Sequence, residues 1–430
     1  MKRVLLISPY FLPFNTADSQ RIRMSLSFFK DFGWEAEVVC VDEKYSDLPQ
    51  DELLVQSIPA DCIIHKVGAF SKRWTAKFGL GSLALRSLWF YRKKVMLLLQ
   101  AKNYDLIYFS TTEFPVCVLG RYWKKRFGIP FVIDMQDAWH SEYYQDKPKK
   151  DRPKKYWFSY RLHRFLEPLA MQKCDGLISV SQAYLDTLQQ RYPQLQTKPG
   201  ATIPFGAFEK DFEIARQNYA QCLPAISPQP KKIQVVYVGR GGKDMQQAVN
   251  ILFKVLKEAL QEDPETFGRL HFYFIGTSYA PKELAEATIS PVAAFYGIEN
   301  QVTEITDRIG FYSTINTLLA ADALLIPGSD DPEYTASKMY PYLLAEKPLL
   351  AIFHQKSSAA KLISQCAPQS TVVMFPDNEL IAKNKIRNTL NLWANFFTTK
   401  NPVDRKNFQQ YTAKQMTGKQ VAIFEAVIKG

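Results

Sequence analysis

The stretch Gln234-Val235-Val236-Tyr237-Val238-Gly239-Arg240-Gly241-Gly242-Lys243-Asp244 sets the architecture of this chain. Val235 to Val238 is a short β-branched and aromatic run, apolar on both faces, that stops at a glycine-rich turn. A helical pattern takes over from Met245. Strand, glycine turn and helix in that order form one arm of a βαβ unit, and a strand apolar on both faces belongs to a parallel sheet covered on both sides. The glycines Gly239, Gly241 and Gly242 let backbone turn closely about an anion, and the helix start offers unpaired N–H groups and positive potential. Arg240 and Lys243 add two cations at the same place. The segment therefore fits a phosphate or diphosphate clamp; a tight βα turn with two solvated bases is the plainer alternative. It matches neither G-x-G-x-x-G nor G-x-x-x-x-G-K-[ST], so neither a dinucleotide fingerprint nor a triphosphate-binding P-loop is supported.

Working outward, similar apolar runs recur in two series, each alternating with longer helical patterns. The first holds Val4–Ser8, Ala36–Val41, Asp105–Ser110, Pro130–Asp134 and Gly176–Ser181. The second holds Gln234–Gly239, Leu270–Gly276, Ala321–Gly328, Pro348–Phe353 and Ser370–Phe375. Two such series predict an α/β chain of two doubly wound, Rossmann-like parallel-sheet domains. The break falls near Ile203-Pro204-Phe205-Gly206, before a connector rich in proline (Pro224, Pro228, Pro230). The expected division is 1–205, 206–400 and a helical C-terminal segment, 401–430. Open parallel sheets bind ligands beyond the carboxyl ends of their strands, and with two domains the expected site is a cleft between them.

At 430 residues with 47% hydrophobic and 22% charged side chains, the composition is that of a folded globular chain and excludes intrinsic disorder. Six scattered cysteines form no C-x-x-C pair, which argues against a zinc cluster or a disulfide framework and suits a reducing compartment. No uncharged stretch reaches the length of a membrane span, and Pro9 cuts the first apolar run well short of a secretory core, so a cytoplasmic protein is expected. Lys and Arg number 54 against 42 Asp and Glu, a net +12. The excess is uneven: residues 1–200 hold 30 basic and 20 acidic side chains, and Cys62 to Tyr104 holds nine Lys/Arg and no acid. Phe70, Trp74, Phe78, Trp89, Phe90 and Tyr91 interleave that run, and a second basic run spans Lys147–Lys155. Nucleic-acid binding is the alternative such charge raises, but the chain carries no helix-turn-helix, RNP or zinc-finger pattern.

The remaining candidates follow strands. After the Ala321–Gly328 run come Asp330, Asp331 and Glu333, acidic groups suited to sugar hydroxyls, and then Ser337, Lys338 and Tyr342 about a helix start that can hold phosphate; helix-start punctuation by Asp330, Asp331 and Pro332 is the plainer alternative. Asp137, Trp139 and His140 follow the fourth run of the first series, where a carboxylate, an aromatic plate and an imidazole fit an acceptor pocket with acid–base groups; helix capping with a packed Trp139 is the alternative. Asn15, Arg21 and the Pro9–Pro13 loop follow the first run. No H-x-x-x-H or carboxylate cluster points to a tight metal site.

In order along the chain, I-S-P-Y-F-L-P (7–13), V-I-D-M-Q-D-A-W (132–139), L-I-S-V-S (177–181), I-P-F-G (203–206), Y-V-G-R-G-G-K (237–243), L-L-A-A-D-A-L-L-I-P-G-S (318–329) and S-K-M-Y-P-Y-L-L-A-E-K-P-L-L-A (337–351) resemble the GT-B-fold glycosyltransferases of the family 4 type. The resemblance implies transfer of a sugar from a nucleotide-diphospho-sugar with retention, without a metal or other cofactor. It implies donor contacts from Gly239, Arg240, Gly242, Lys243, Ser337, Lys338 and Tyr342, with Arg240 and Lys243 neutralising the leaving diphosphate. It implies a catalytic role for Glu333; from their places at strand ends, Asp137 and His140 are the further catalytic candidates and Asn15, Arg21 and Trp139 the acceptor-binding ones. Of the family's E-x7-E pair, Glu333 matches the sugar-binding glutamate, while Pro341 stands where the ribose-binding one falls. A final helix crossing back onto the first domain is implied for 401–430, and the basic, aromatic-rich surface is assigned to an anionic membrane carrying a lipid-linked saccharide acceptor. In that assignment Leu85, Leu88, Trp89, Met96 and Leu99 line one side of a helix bearing Arg86, Lys93 and Lys94; packing of this stripe inside the first domain is the alternative. A catalytically silent homologue that binds nucleotide or glycan is the alternative that Pro341 motivates.

Overall fold

A computed structural model describes residues 1–140, 148, 152, 156–280, 282–331, 339–375, 379–395 and 400–430. The chain divides into two compact units, Met1–Gly206 with Thr412–Gly430, and Ala207–Tyr411.

The first unit is built on β1 (Lys2–Ile7), β2 (Trp34–Val41), β3 (Ile63–Val67), β4 (Leu106–Thr111), β5 (Phe131–Met135), β6 (Gly176–Ser179) and β7 (Gly200–Thr202). They form one sheet in the order β3-β2-β1-β4-β5-β6-β7, and every pairing is parallel. The second unit holds β8 (Ile233–Val238), β9 (Leu270–Ile275), β10 (Val302–Ile305), β11 (Ala323–Pro327), β12 (Leu349–His354) and β13 (Thr371–Phe375). Its order is β10-β9-β8-β11-β12-β13, again all parallel. Both are Rossmann-like, and in each the strand order reverses beside the unit's first strand: between β1 and β4, and between β8 and β11. Those switch points are where an open α/β sheet leaves a crevice.

The central strands form because both faces are covered. Val4 to Ile7 and Phe131 to Ile133 are fully buried, as a parallel sheet under helices on both sides requires. The strands that the sequence pattern does not mark are β3, β7 and β10, all at sheet edges and only partly covered. With one rim in water, an edge strand has no need of a continuous apolar run. The other strands lie within two residues of their expected ends.

The C-terminal helix Ala413–Lys429 packs within the first unit. Phe424 meets Trp34 at 5.5 Å and Tyr108 at 5.0 Å between ring centroids. Gln420 donates to Ser25 Oγ at 2.9 Å, and Glu425 accepts from Trp34 Nε1 at 3.0 Å. Gly206 lies where the chain passes this helix start: a Cβ there would stand 2.7 Å from the Ala413 nitrogen.

Candidate functional site

In the second unit the switch point lies between the turn after β8 and the loop after β11. β8 and β11 are paired only at Ala323–Val235 and Leu324–Val236, so beyond Val236 they part. The buried Tyr342 hydroxyl occupies the gap, accepting from the Val238 N–H at 2.8 Å and donating to its carbonyl at 3.2 Å. A side chain expected to touch the donor is thus committed to satisfying the backbone of β8 at the mouth of the crevice.

The turn itself is tightly tied. Gly239 N–H donates to Ile275 O and Gly241 N–H to Thr277 O, both at 2.8 Å, and the Tyr237 hydroxyl donates to Arg240 O at 2.9 Å. Arg240 forks onto Asp244, Nη1 to Oδ1 at 2.8 Å and Nη2 to Oδ2 at 2.6 Å. That bond holds the Asp244 carboxyl below the ordinary aspartate range. Gly242 is extended, and its lack of a side chain makes room for the pair: a Cβ there would lie 2.4 Å from Asp244 Oδ1 and 2.8 Å from Arg240 Nη1. Lys243 is exposed and makes no ion pair among the described residues. Asp330 N–H donates to Asp244 O at 2.8 Å and Asp331 N–H to Ser329 Oγ at 3.1 Å, so the β11 loop is laced to the glycine turn. The structure thereby brings Gly239, Arg240, Gly242, Lys243 and Tyr342 together with Asp330. Glu333, Ser337 and Lys338 lie outside the described residues.

In the first unit the corresponding crevice lies between β1 and β4. Asp18, in the first turn of the helix Ala17–Leu26, accepts from Thr111 Oγ1, Thr112 N and Thr112 Oγ1 at 2.8, 2.9 and 2.9 Å. Burial pushes its carboxyl up to about 6 against those bonds. Glu113, also raised by burial, accepts from Ala84 N at 2.9 Å and so secures the start of the helix Leu83–Ala101. Burial, and then the nearby Glu113 charge, lifts the Tyr10 phenol to about 12. Sequence reasoning passed over Asp18, Thr111, Thr112, Glu113 and Asp244. The available signal was a run of polar residues, Thr111-Thr112-Glu113, directly at a strand's carboxyl end.

The acceptor-side candidates divide between exposed and buried positions. Asn15 is exposed and accepts from Gln20 Nε2 at 2.7 Å. Arg21 is 2% exposed and bonds the Asp134 carboxylate at 2.9 Å and the Pro204 carbonyl at 2.8 Å, under the Phe205 ring. Its fork is spent inside the unit. Trp139 is buried and stacked on Phe114 at 5.4 Å. Asp137 is exposed and caps the Ala138 N–H at 2.8 Å. The His140 ring instead turns inward, 4.8 Å from the Tyr160 ring and 3.9 Å from the carboxylate of the buried Glu167.

On the basic surface, Arg86 is buried, not exposed: it donates to Phe70 O and Tyr45 O at 2.8 Å each. Of the stripe expected on the helix, Leu99 is buried, Leu85, Leu88 and Met96 are half-buried and Trp89 is exposed. The exposed apolar side chains include Phe70, Trp74, Phe78, Trp89 and Leu97, with Lys77 over the Trp74 ring and Lys93 over the Trp89 ring. Of the second basic run, only Pro148 and Arg152 are described.

Residues 32–206, within the first unit, match the family model for Glycosyltransferase Family 4. No curated protein sequence matches the chain. Among solved structures, Anabaena Alr3699/HepE in complex with UDP-glucose is similar at 16% identity and TM-score 0.54, over 98% of this chain and 100% of that one. A glycosyltransferase from Rickettsia africae ESF-5 is similar at 12% identity and TM-score 0.59, over 100% and 99%. The UDP-forming α,α-trehalose-phosphate synthase of Burkholderia vietnamiensis is similar at 11% identity and TM-score 0.60, over 100% and 98%. These likenesses show the fold, which is GT-B. The family-model match is confined to the first unit.

Proposed function

We propose that the chain transfers a sugar from a nucleotide-diphospho-sugar to a saccharide or lipid-linked saccharide, with retention and without a metal, in surface-polysaccharide assembly. The observation that carries the donor half is the glycine turn after β8: Arg240 and Lys243 stand at the switch point of a Rossmann-like sheet. Cations and helix-start N–H groups there favour the charge that develops on a leaving diphosphate. The structural relative in complex with UDP-glucose supports a uridine donor as the first to try. In this reading Gly239 and Gly242 admit the phosphates, Glu333, Ser337 and Lys338 complete the donor site, and Asp137 and His140 serve the transfer. A thermal-shift screen against UDP, GDP, ADP, TDP and CMP and their sugar conjugates tests it. A ligand that binds only the folded form adds about 2.7 kcal/mol at a hundred times its dissociation constant. Selective stabilisation by one nucleoside diphosphate, lost in Arg240→Ala and Lys243→Ala, is expected; no shift with any ligand rejects it.

Pro341 in the place of the family's ribose-binding glutamate favours one second reading, a catalytically silent homologue that binds nucleotide or glycan. Glu333→Gln separates the two: turnover collapses in an enzyme, whereas the cellular role of a silent binder survives.

The acceptor's membrane is the remaining part of the proposal. Trp74, Phe78 and Trp89 stand more than half exposed among Arg73, Lys77, Lys93 and Lys94, an arrangement suited to the headgroup level of an anionic leaflet at about 1 kcal/mol per basic residue. Among the described residues no helix is long and apolar enough to cross a membrane. Sedimentation with phosphatidylglycerol vesicles, but not with phosphatidylcholine alone, is expected, and is weakened several-fold by Trp74→Ala with Trp89→Ala. Equal binding to both vesicle types rejects this surface.

A further inference from the structure

At the glycine turn the protein supplies its own anion. Both Asp244 oxygens are engaged by the two terminal nitrogens of Arg240, at 2.8 and 2.6 Å. Both side chains keep part of their surface in water, 28% for Arg240 and 31% for Asp244. Such a half-solvated pair is weak and exchangeable. The pair lies against Gly242, whose missing Cβ leaves it that space. Through its backbone carbonyl, Asp244 also anchors Asp330 of the loop after β11. Lys243 is left as the cation of this turn that makes no ion pair among the described residues.

We propose that Asp244 is a built-in counter-anion of the clamp, a residue that holds Arg240 in the place of a phosphate when the site is empty and so sets how tightly a diphosphate binds there. The proposal rests on the reading of residues 239–244 as the donor's diphosphate site. An arriving monophosphate meets Lys243 and an Arg240 already neutralised, with a carboxylate facing it. A diphosphate carries enough anionic oxygens to hold Lys243 and take the Arg240 fork from Asp244 together, so the lost pair is replaced by one of higher charge. Until that exchange, only the fraction of molecules with the pair open binds at full strength, and the apparent dissociation constant rises by the inverse of that fraction. For a pair of this exposure the factor is roughly two to six.

The test is calorimetric titration of the full chain, wild type and Asp244→Asn, with inorganic phosphate, inorganic pyrophosphate and UDP. Asp244→Asn is expected to bind pyrophosphate and UDP roughly two- to six-fold tighter and to gain no more than that factor for phosphate. The double variant Arg240→Ala with Asp244→Asn loses that gain. Weaker binding by Asp244→Asn would make Asp244 an orienting partner of Arg240 and overturn the proposal, as would unchanged affinities. Wild type that binds neither pyrophosphate nor UDP, with an unaltered melting transition, rejects the clamp itself and the proposal with it. Wild type that binds while Asp244→Asn gains nothing rejects only the counter-anion.

Discussion

Single side chains at the two switch points carry more structural duty than their residue types announce. Asp18 is the sharpest case. Its carboxyl, ordinarily at 3.8, is raised by burial to about 6. The folded form thus holds its proton over a range where the unfolded form has lost it. This stabilising contribution is complete below about pH 4 and is lost as pH rises through 6. A rise of that size is equivalent to on the order of 3 kcal/mol. Asp18→Asn should therefore flatten the pH dependence of the urea midpoint between pH 4 and 6; an unchanged slope would assign that dependence to other groups. Tyr342 makes a second prediction. Its hydroxyl serves both polar groups of Val238 in a buried place, so Tyr342→Phe leaves a backbone donor and acceptor unmet and should cost about 1–3 kcal/mol by chemical denaturation. A stability equal to wild type, with only nucleotide affinity reduced, would return Tyr342 to the role of a donor contact.

Among the elements, the helix Ala413–Lys429 ties the end of the chain to its beginning. Phe424 is fully buried against rings from β2 and β4. Phe424→Ala should cost roughly 3–5 kcal/mol, read as destabilisation of the first unit, and a loss under 1 kcal/mol would mean that the helix contributes little to that core. The helix Leu83–Ala101 shows how a single element divides its faces. Ala84, Ser87, Tyr91, Val95 and Leu98 turn inward and Trp89 and Leu97 turn out. Its apolar residues are too many for one stripe, so spacing alone could not tell which stripe meets the sheet. Arg86 shows the same difficulty from the polar side: its charge reads as surface, yet the carbonyls of Phe70 and Tyr45 take it inside.

Across the whole molecule, two units with separate cores should answer a ligand separately. A nucleoside diphosphate held at the glycine turn stabilises the second unit by mass action and leaves the first to its own equilibrium. Hydrogen exchange should therefore slow at Tyr237–Asp244 and the β11 loop on adding UDP, while Leu106–Thr111 of the first unit is unchanged. Equal protection at both would show the units to open as one. The two-sheet plan is legible in the residues alone because buried parallel strands must be apolar throughout, as Val4–Ile7 and Val235–Val238 are. Edge strands escape that requirement, and β3, β7 and β10 went unmarked accordingly.

The sequence by itself determined two Rossmann-like sheets and a cationic glycine turn at the carboxyl end of β8, because periodicity and turn chemistry act over a few neighbouring residues. Tertiary structure alone decided which polar groups are spent inside. Arg21 goes to Asp134, Tyr342 to Val238, Asp18 to Thr111 and Thr112. Arg240 goes to Asp244, a residue only four positions away, yet which of the nearby anions it would take depends on how the turn closes over Gly242. A buried donor or acceptor must find a partner, and folding chooses that partner by distance in space rather than along the chain.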